Sequence, residues 1–321
     1  MLSYLLAVLA ACANATSSVL QRKANRKVPR QENLSWKLVW SLVHEPVWFG
    51  GILAIIVGFL LQATALGHGQ LATVEPILVL ELPATLILAS RVFGARLHGR
   101  EWASIAVMTA GLAGLLYFLS PSAGRSASGP WYVWTIGIAV NLALAGVLVM
   151  LARRGPAGEG GGMGGSSARQ AALLGVAGGS VFGLTAALMK GMTTTFSQGL
   201  VTLFTSWQLY GMIAAGILGM FLVQSALNAG RLLAAQPGLT LSDPVVSVLW
   251  GVMAFHEQLR GGMFIVLAVI SGLILAAAVV VLARSPLLSD ASGQSGTRDR
   301  GTGAEPHPAQ DAATGGRQPE S

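Results

Sequence analysis

Gly58-Phe59-Leu60-Leu61-Gln62-Ala63-Thr64-Ala65-Leu66 and Gly219-Met220-Phe221-Leu222-Val223-Gln224-Ser225-Ala226-Leu227 lie about 161 positions apart and read as two versions of one segment. At the same offset Gly69 meets Gly230, Leu71 meets Leu232, Pro76 meets Pro237 and Pro83 meets Pro244. Matches of Leu, Ala and Gly are common in any apolar chain. The prolines are not, because the only four inside the apolar blocks all fall into these pairs. After a one-residue slip, Phe93-Gly94-Ala95-Arg96-Leu97-His98-Gly99 matches Phe255-His256-Glu257-Gln258-Leu259-Arg260-Gly261. A further apolar block follows each copy and ends at Ser120-Pro121 or Ser285-Pro286. Self-similarity over this length marks a duplicated helical unit.

The residues around these segments say where the unit lives. Of 321 residues, 53% are hydrophobic and only 10% charged, with a mean hydropathy of +0.63. Soluble domains carry about a quarter charged residues. The apolar residues fall into blocks long enough to cross a hydrocarbon core about 30 Å thick as helices, which satisfy every backbone group internally. They lack the period-two alternation of an outer-membrane barrel. The reading is an all-α, polytopic transmembrane helical bundle of about nine spans, at 2–20, 47–66, 70–92, 103–120, 131–151, 170–192, 207–228, 231–254 and 263–283. Two stretches, 21–45 and 193–206, are candidates for re-entrant or interfacial helices or compressed extra spans. The expected organisation is a first repeat at 1–122, a linking span at 123–152 and a Gly-rich cytoplasmic loop at 153–169. A second repeat at 170–285 and a disordered tail at 286–321 follow. Because the linking span makes the step from first to sixth helix odd, the second repeat is inverted, an arrangement that recurs in transporters with a midplane site.

The formal charge is +7, and its placement favours membrane topology over nucleic acid binding. With the N-terminus outside, the inner loops hold Arg22, Lys23, Arg26, Lys27, Arg30, Lys37, Arg91, Arg96, Arg100, Arg153, Arg154, Arg169 and Arg231. The outer side keeps Arg125, Lys190 and Arg260. This positive-inside bias puts the C-terminus in the cytoplasm. The high Arg-to-Lys ratio and Ala/Gly richness fit a GC-rich bacterium and its cytoplasmic membrane. Leu9-Ala10-Ala11-Cys12 imitates a lipoprotein box, but the first eleven residues hold no Lys or Arg, so 2–20 is expected to stay as a span.

Charge inside a span is costly, about 2.5–3.5 kcal/mol at the helix centre, and normally marks a pathway or a partner. Three acids lie within spans: Glu75, Glu81 and Asp243. At about 1.5 Å per residue, Glu81 falls roughly 16 Å into span three and Asp243 roughly 18 Å into span eight, with Glu75 shallower at roughly 8 Å. They are the candidate substrate- or ion-binding residues, with Asn14, Gln62 and Gln224 as neutral companions. Their competing role is to fix helix packing or face a second copy in a homodimer. Pro76, Pro83, Pro237 and Pro244 each remove a donor and disturb the preceding turn. They predict helix breaks in both repeats, with carbonyls freed near Ala72, Val79, Leu233 and Thr240; a tolerated kink is the alternative. Lys190 reads as a side chain snorkelling from the outer end of span six.

No cofactor is expected, and the identity of any metal is left open. The glycines of 153–169 lack the strand before and the Lys-Ser or Lys-Thr after that a phosphate loop requires. The histidines lie apart in loops, and Cys12, the single cysteine, has no nearby base, so an enzyme is not expected. The expected partners are the lipid bilayer and a small-molecule or cation substrate.

The order of Gly-rich span, Ala-Leu pair, short polar turn, proline-bearing span, Gly-Glu-Arg-Leu-like turn and final Gly-rich helix resembles the drug/metabolite transporter superfamily, its EamA-like group in particular. Gly58 to Ala113 and Gly219 to Ala278 follow that order, within a likeness spanning roughly 45–120 and 170–284. The resemblance implies a gradient-driven secondary transporter. The turn stands as Gly94-Ala95-Arg96-Leu97 in one half and His256-Glu257-Gln258-Leu259 in the other, and span one lacks the glutamate of the small multidrug members, which argues against multidrug antiport. The four-one-four layout and Lys190-Gly191 after span six are similar to the NIPA magnesium-transporter branch. That likeness implies Glu81 and Asp243 around a hydrated ion. A non-transporting membrane partner subunit is the remaining alternative.

Overall fold

The computed structural model describes residues 1–25, 46–94, 97–121, 129–154, 165–229 and 232–283, and these are almost entirely helical. In chain order the helices are α1 (Leu2–Asn25), α2 (Pro46–His68), α3 (Leu71–Leu78), α4 (Glu81–Phe93), α5 (Gly99–Leu119) and α6 (Trp131–Arg153). The second half holds α7 (Gly165–Phe196), α8 (Leu200–Thr205), α9 (Trp207–Ala229), α10 (Leu232–Phe255) and α11 (Met263–Ala283). Among the described residues, nine segments are long and apolar enough to cross a membrane, α3 and α4 together making the third. Their outward faces carry large aliphatic side chains, such as Leu53 and Leu60 on α2, Ile136 and Val140 on α6, Ile217 on α9 and Leu273 on α11. Apolar exposure of this extent suits lipid, not water. The chain is an all-α, multi-pass membrane bundle.

The packing repeats as the sequence does. α1 lies against α2 and against α3–α4; α7 lies against α9 and α10 in the same relation. The last helices of the two units, α5 and α11, pack on each other. Across the middle, α3 meets α10 and α2 meets α7. If each span crosses the bilayer, α6 turns the second unit over.

Close approach is bought with glycine. A Cβ at Gly111 would sit 2.9 Å from the Leu275 backbone nitrogen, and one at Gly114 would sit 2.7 Å from the Ser271 hydroxyl, so α5 and α11 touch backbone to backbone. Gly175, Gly179 and Gly183 form a ladder of one residue per turn on α7, facing Ala235, Leu239 and Asp243 at the same spacing on α10. Outside both units, α6 is clasped to α10 by Trp134, which stacks on Trp250 at 5.1 Å between ring centres and meets Trp207 and Phe255 edge-on.

Two expected segments change. Residues 193–196 finish α7, and α8 is six residues long with no buried side chain, about 9 Å at the helical rise, so 193–206 does not add a span. α7 starts at Gly165, inside the expected loop 153–169, because Ala168, Arg169, Gln170, Ala171 and Ala172 are strong helix formers. Of the stretch 21–45, residues 21–25 end α1 and the rest lies outside the described residues, as do 155–164 and the tail 286–321.

Candidate functional site

A cavity of about 540 Å³ lies where the units meet. Unit one supplies Asn14 from α1, Phe59 and Gln62 from α2, Glu75 from α3, and Glu81 and Leu82 from α4. Unit two supplies Phe182, Thr185 and Met189 from α7, and Gln236, Thr240, Asp243 and Pro244 from α10. All three intramembrane acids of the sequence therefore share one space, and among the described residues no lysine or arginine lines it. Glu75 is buried, at 3% exposure, and accepts a hydrogen bond from Gln62 Nε2 at 3.0 Å. Asn14 is hydrogen-bonded to Glu81, with its amide oxygen close against Gly58. The Ser247 hydroxyl lies 3.4 Å from Asp243 Oδ1. Asp243 interacts through charge with both Glu75 and Glu81. Among the described residues no three acidic, histidine or cysteine side chains converge on a point that could hold a metal ion. The carboxylates are spread over the wall.

The third span is broken beside this cavity. α3 ends at Leu78, two residues turn, and α4 starts at Glu81. Through the break the backbone uses shorter three-residue bonds: Val79 N–H to Pro76 C=O at 3.3 Å, Leu80 N–H to Ile77 C=O at 3.0 Å and Leu82 N–H to Val79 C=O at 3.1 Å. Pro83 then falls in the first turn of α4, where a missing donor costs little. The expected free carbonyl at Val79 is taken by Leu82. The break places Glu81 at a helix start, where the backbone dipole favours a negative charge.

The other half differs. α10 runs unbroken from Leu232 to Phe255 through Pro237 and Pro244, so the expected pair of broken helices is a single broken helix and a continuous one. Contact with the glycine ladder of α7 explains this. The Ser242 hydroxyl donates to Gly238 C=O at 2.6 Å and reaches Val176 C=O of α7 at 3.1 Å, splinting the turn between the prolines. Of the neutral residues expected at the site, Asn14 and Gln62 line the cavity. Gln224 does not: it sits on the exposed face of α9. Because α9 packs on α7 through Met212, Ala215, Gly219, Leu222 and Ala226, the side turned away from that stripe carries Gln224 outward.

A second polar cluster lies beside the cavity wall residues Met189 and Glu75, and its signal in the sequence was divided between two ordinary-looking residues. Glu257 is 3% exposed although it follows α10 in a loop. Its Oε1 accepts from Leu71 N–H at 2.6 Å, and its Oε2 from Ala72 N–H at 2.9 Å. Thr73 and Val74 N–H go to Gln70 C=O, so all four free donors at the start of α3 are satisfied. Lys190 Nζ donates to Glu257 Oε1 at 2.5 Å and to Gly69 C=O at 3.0 Å, and lies 4.9 Å above the Phe255 ring. Lys190 thus bonds inward and does not snorkel. His256 reaches φ +52°, in the left-handed region, to turn the chain back, and Glu257 N–H donates to Gly251 C=O at 3.0 Å. Gly251 is required: its Cβ would occupy the place of the Glu257 carboxylate.

No family model and no solved structure matches the chain. An uncharacterized protein of Corynebacterium glutamicum is 28% identical over 267 residues, covering 81% of this chain and 88% of that protein. The nine-span chain is therefore similar to a protein of comparable length, and the functional reading rests on the cavity.

Proposed function

We propose that the chain is a gradient-driven secondary transporter of the drug/metabolite transporter type, in the cytoplasmic membrane with its N-terminus outside, carrying a small cation or positively charged metabolite. One observation supports this above the others: three carboxylates, contributed by both units, share a single cavity with no basic side chain among the described residues of its wall. Charge of this kind in a membrane interior is expensive and marks a path for ions or protons. Inverted units around a midplane site are the architecture by which a site is offered to each side in turn.

The test is uptake into liposomes of purified protein, with and without a proton or cation gradient, across organic amines and monovalent and divalent cations. Glu81→Gln and Asp243→Asn are each expected to lower flux by about tenfold or more, the size of losing one charge-assisted hydrogen bond, while the melting temperature holds. Absence of gradient-linked flux for the whole panel, or flux untouched by both substitutions, removes the reading. The magnesium alternative is carried in the same panel. The spread of the carboxylates over the wall supports it less than an organic or fully hydrated ion.

A further inference from the structure

We propose that Lys190 and Glu257 form a bolt that shuts the mouth of the cavity at the α3 start, and that this mouth opens when Glu257 leaves the α3 N-terminus. The inference rests on the transport reading for its purpose, but not for its geometry.

The bolt joins the two units. Gly69, Leu71 and Ala72 belong to the first; Lys190, Phe255 and Glu257 belong to the second. It is also contiguous with the cavity. Met189, beside Lys190, and Glu75, one turn beyond Leu71, are both wall residues. Leu71, Ala72 and Val74 are fully buried and Phe255 nearly so, which makes the layer densely apolar around the charged pair. At the opposite end the wall reaches Gln236, about one turn from the start of α10. In the sequence the duplicated turn has Ala95 where the other copy has Glu257. Removing a charge from a buried pair leaves its partner uncompensated, so the closed arrangement depends on both members. Among the described residues, the Lys190–Glu257 pair joins the two units beside the cavity. Alternation between faces then needs a step in which carboxylate, ammonium and the two α3 donors part together.

The experiment reads access directly. In a Cys12→Ser background, Thr185→Cys places one thiol on the cavity wall, and a membrane-impermeant thiol reagent is applied to right-side-out and inside-out vesicles. The intact bolt should leave this thiol slow to label from the Lys190 face and fast from the other. Glu257→Gln, and separately Gly251→Ala, which keeps both charges but displaces the carboxylate, should each speed labelling from the Lys190 face by about tenfold or more, the response of a two-state equilibrium to a modest loss of bias. Equal labelling from both faces with the bolt intact overturns the proposal, and so does unchanged labelling in folded Gly251→Ala. If Glu257→Gln does not fold, the other two comparisons decide. Labelling needs no cargo. A bolt that responds in a protein without flux leaves the gate standing and removes the transport reading; flux with unresponsive labelling does the reverse.

Discussion

The third and eighth spans began as one sequence and ended as two structures. Both carry prolines seven residues apart and an acid between or beside them, yet the third is cut at Val79-Leu80 and the eighth is continuous. The difference lies in what each leans on. α10 rests along the glycine ladder of α7 and has Ser242 to occupy a carbonyl inside the proline interval. In the third span the corresponding interval, Ile77 to Leu82, has no hydroxyl, and its first helix is tied at its start by Glu257 of the other unit. Proline permits a break. Neighbours decide whether it occurs, and a broken helix is what allows one span to place two carboxylates, Glu75 and Glu81, in the same cavity.

The largest effect expected from disturbing this contrast is at the tie. Glu257→Ala strands Lys190 and two backbone donors in a buried layer and should cost about 3–5 kcal/mol, seen as a large fall in the detergent-melting temperature. A change below about 1 kcal/mol would mean that the α3 start does not need its cap. Next is the splint: Gly179→Val forces a branched side chain against the Leu239 carbonyl and the Ser242 hydroxyl, and should destabilise by about 1–3 kcal/mol through overpacking. The prolines then separate the spans by function. Pro76→Ala favours a continuous helix by up to about 3 kcal/mol of propensity. It should lower cargo binding severalfold by moving Glu81, whereas Pro244→Ala in the already continuous helix should change binding less than twofold. Thermal-shift titration with the transported cation compares them, and equal responses would erase the distinction. The smallest effect is at Gln62→Ala, which removes one bond to Glu75. It should weaken binding by about 1 kcal/mol, near fivefold, in the same titration.

The sequence carried the spans and the three acids because lipid penalises charge and unpaired backbone so strongly that their positions stand out in one dimension. Glu75, Glu81 and Asp243 could be picked as charges inside apolar spans, and Asn14 and Gln62 as uncharged polar residues within theirs. The single break could not, since Pro76–Pro83 and Pro237–Pro244 are indistinguishable without their neighbours. Gln224 looked like the partner of Gln62, but at the repeat offset it pairs with Ala63 while Val223 pairs with Gln62. One residue is about 100° around a helix, and this carries Gln224 away from the shared buried stripe of Gly58 and Gly219. Lys190 and Glu257 are 67 positions apart, and each looks like an ordinary charged residue at a helix end.

The linking helix α6 has a consequence for how the chain is made. Its Trp134 clasp closes on Trp250, which leaves the ribosome only after the whole of α7 and α9 has been delivered. α6 gains its main partner earlier, because α7 follows it directly and packs along it, with Asn141 Nδ2 donating to Ser180 C=O at 3.2 Å. A nascent chain that failed to insert it would thread every later segment with reversed polarity, leaving Lys190 on the leaflet opposite Gly69. A helix that touches none of the acids therefore sets the handedness of biogenesis for all of them.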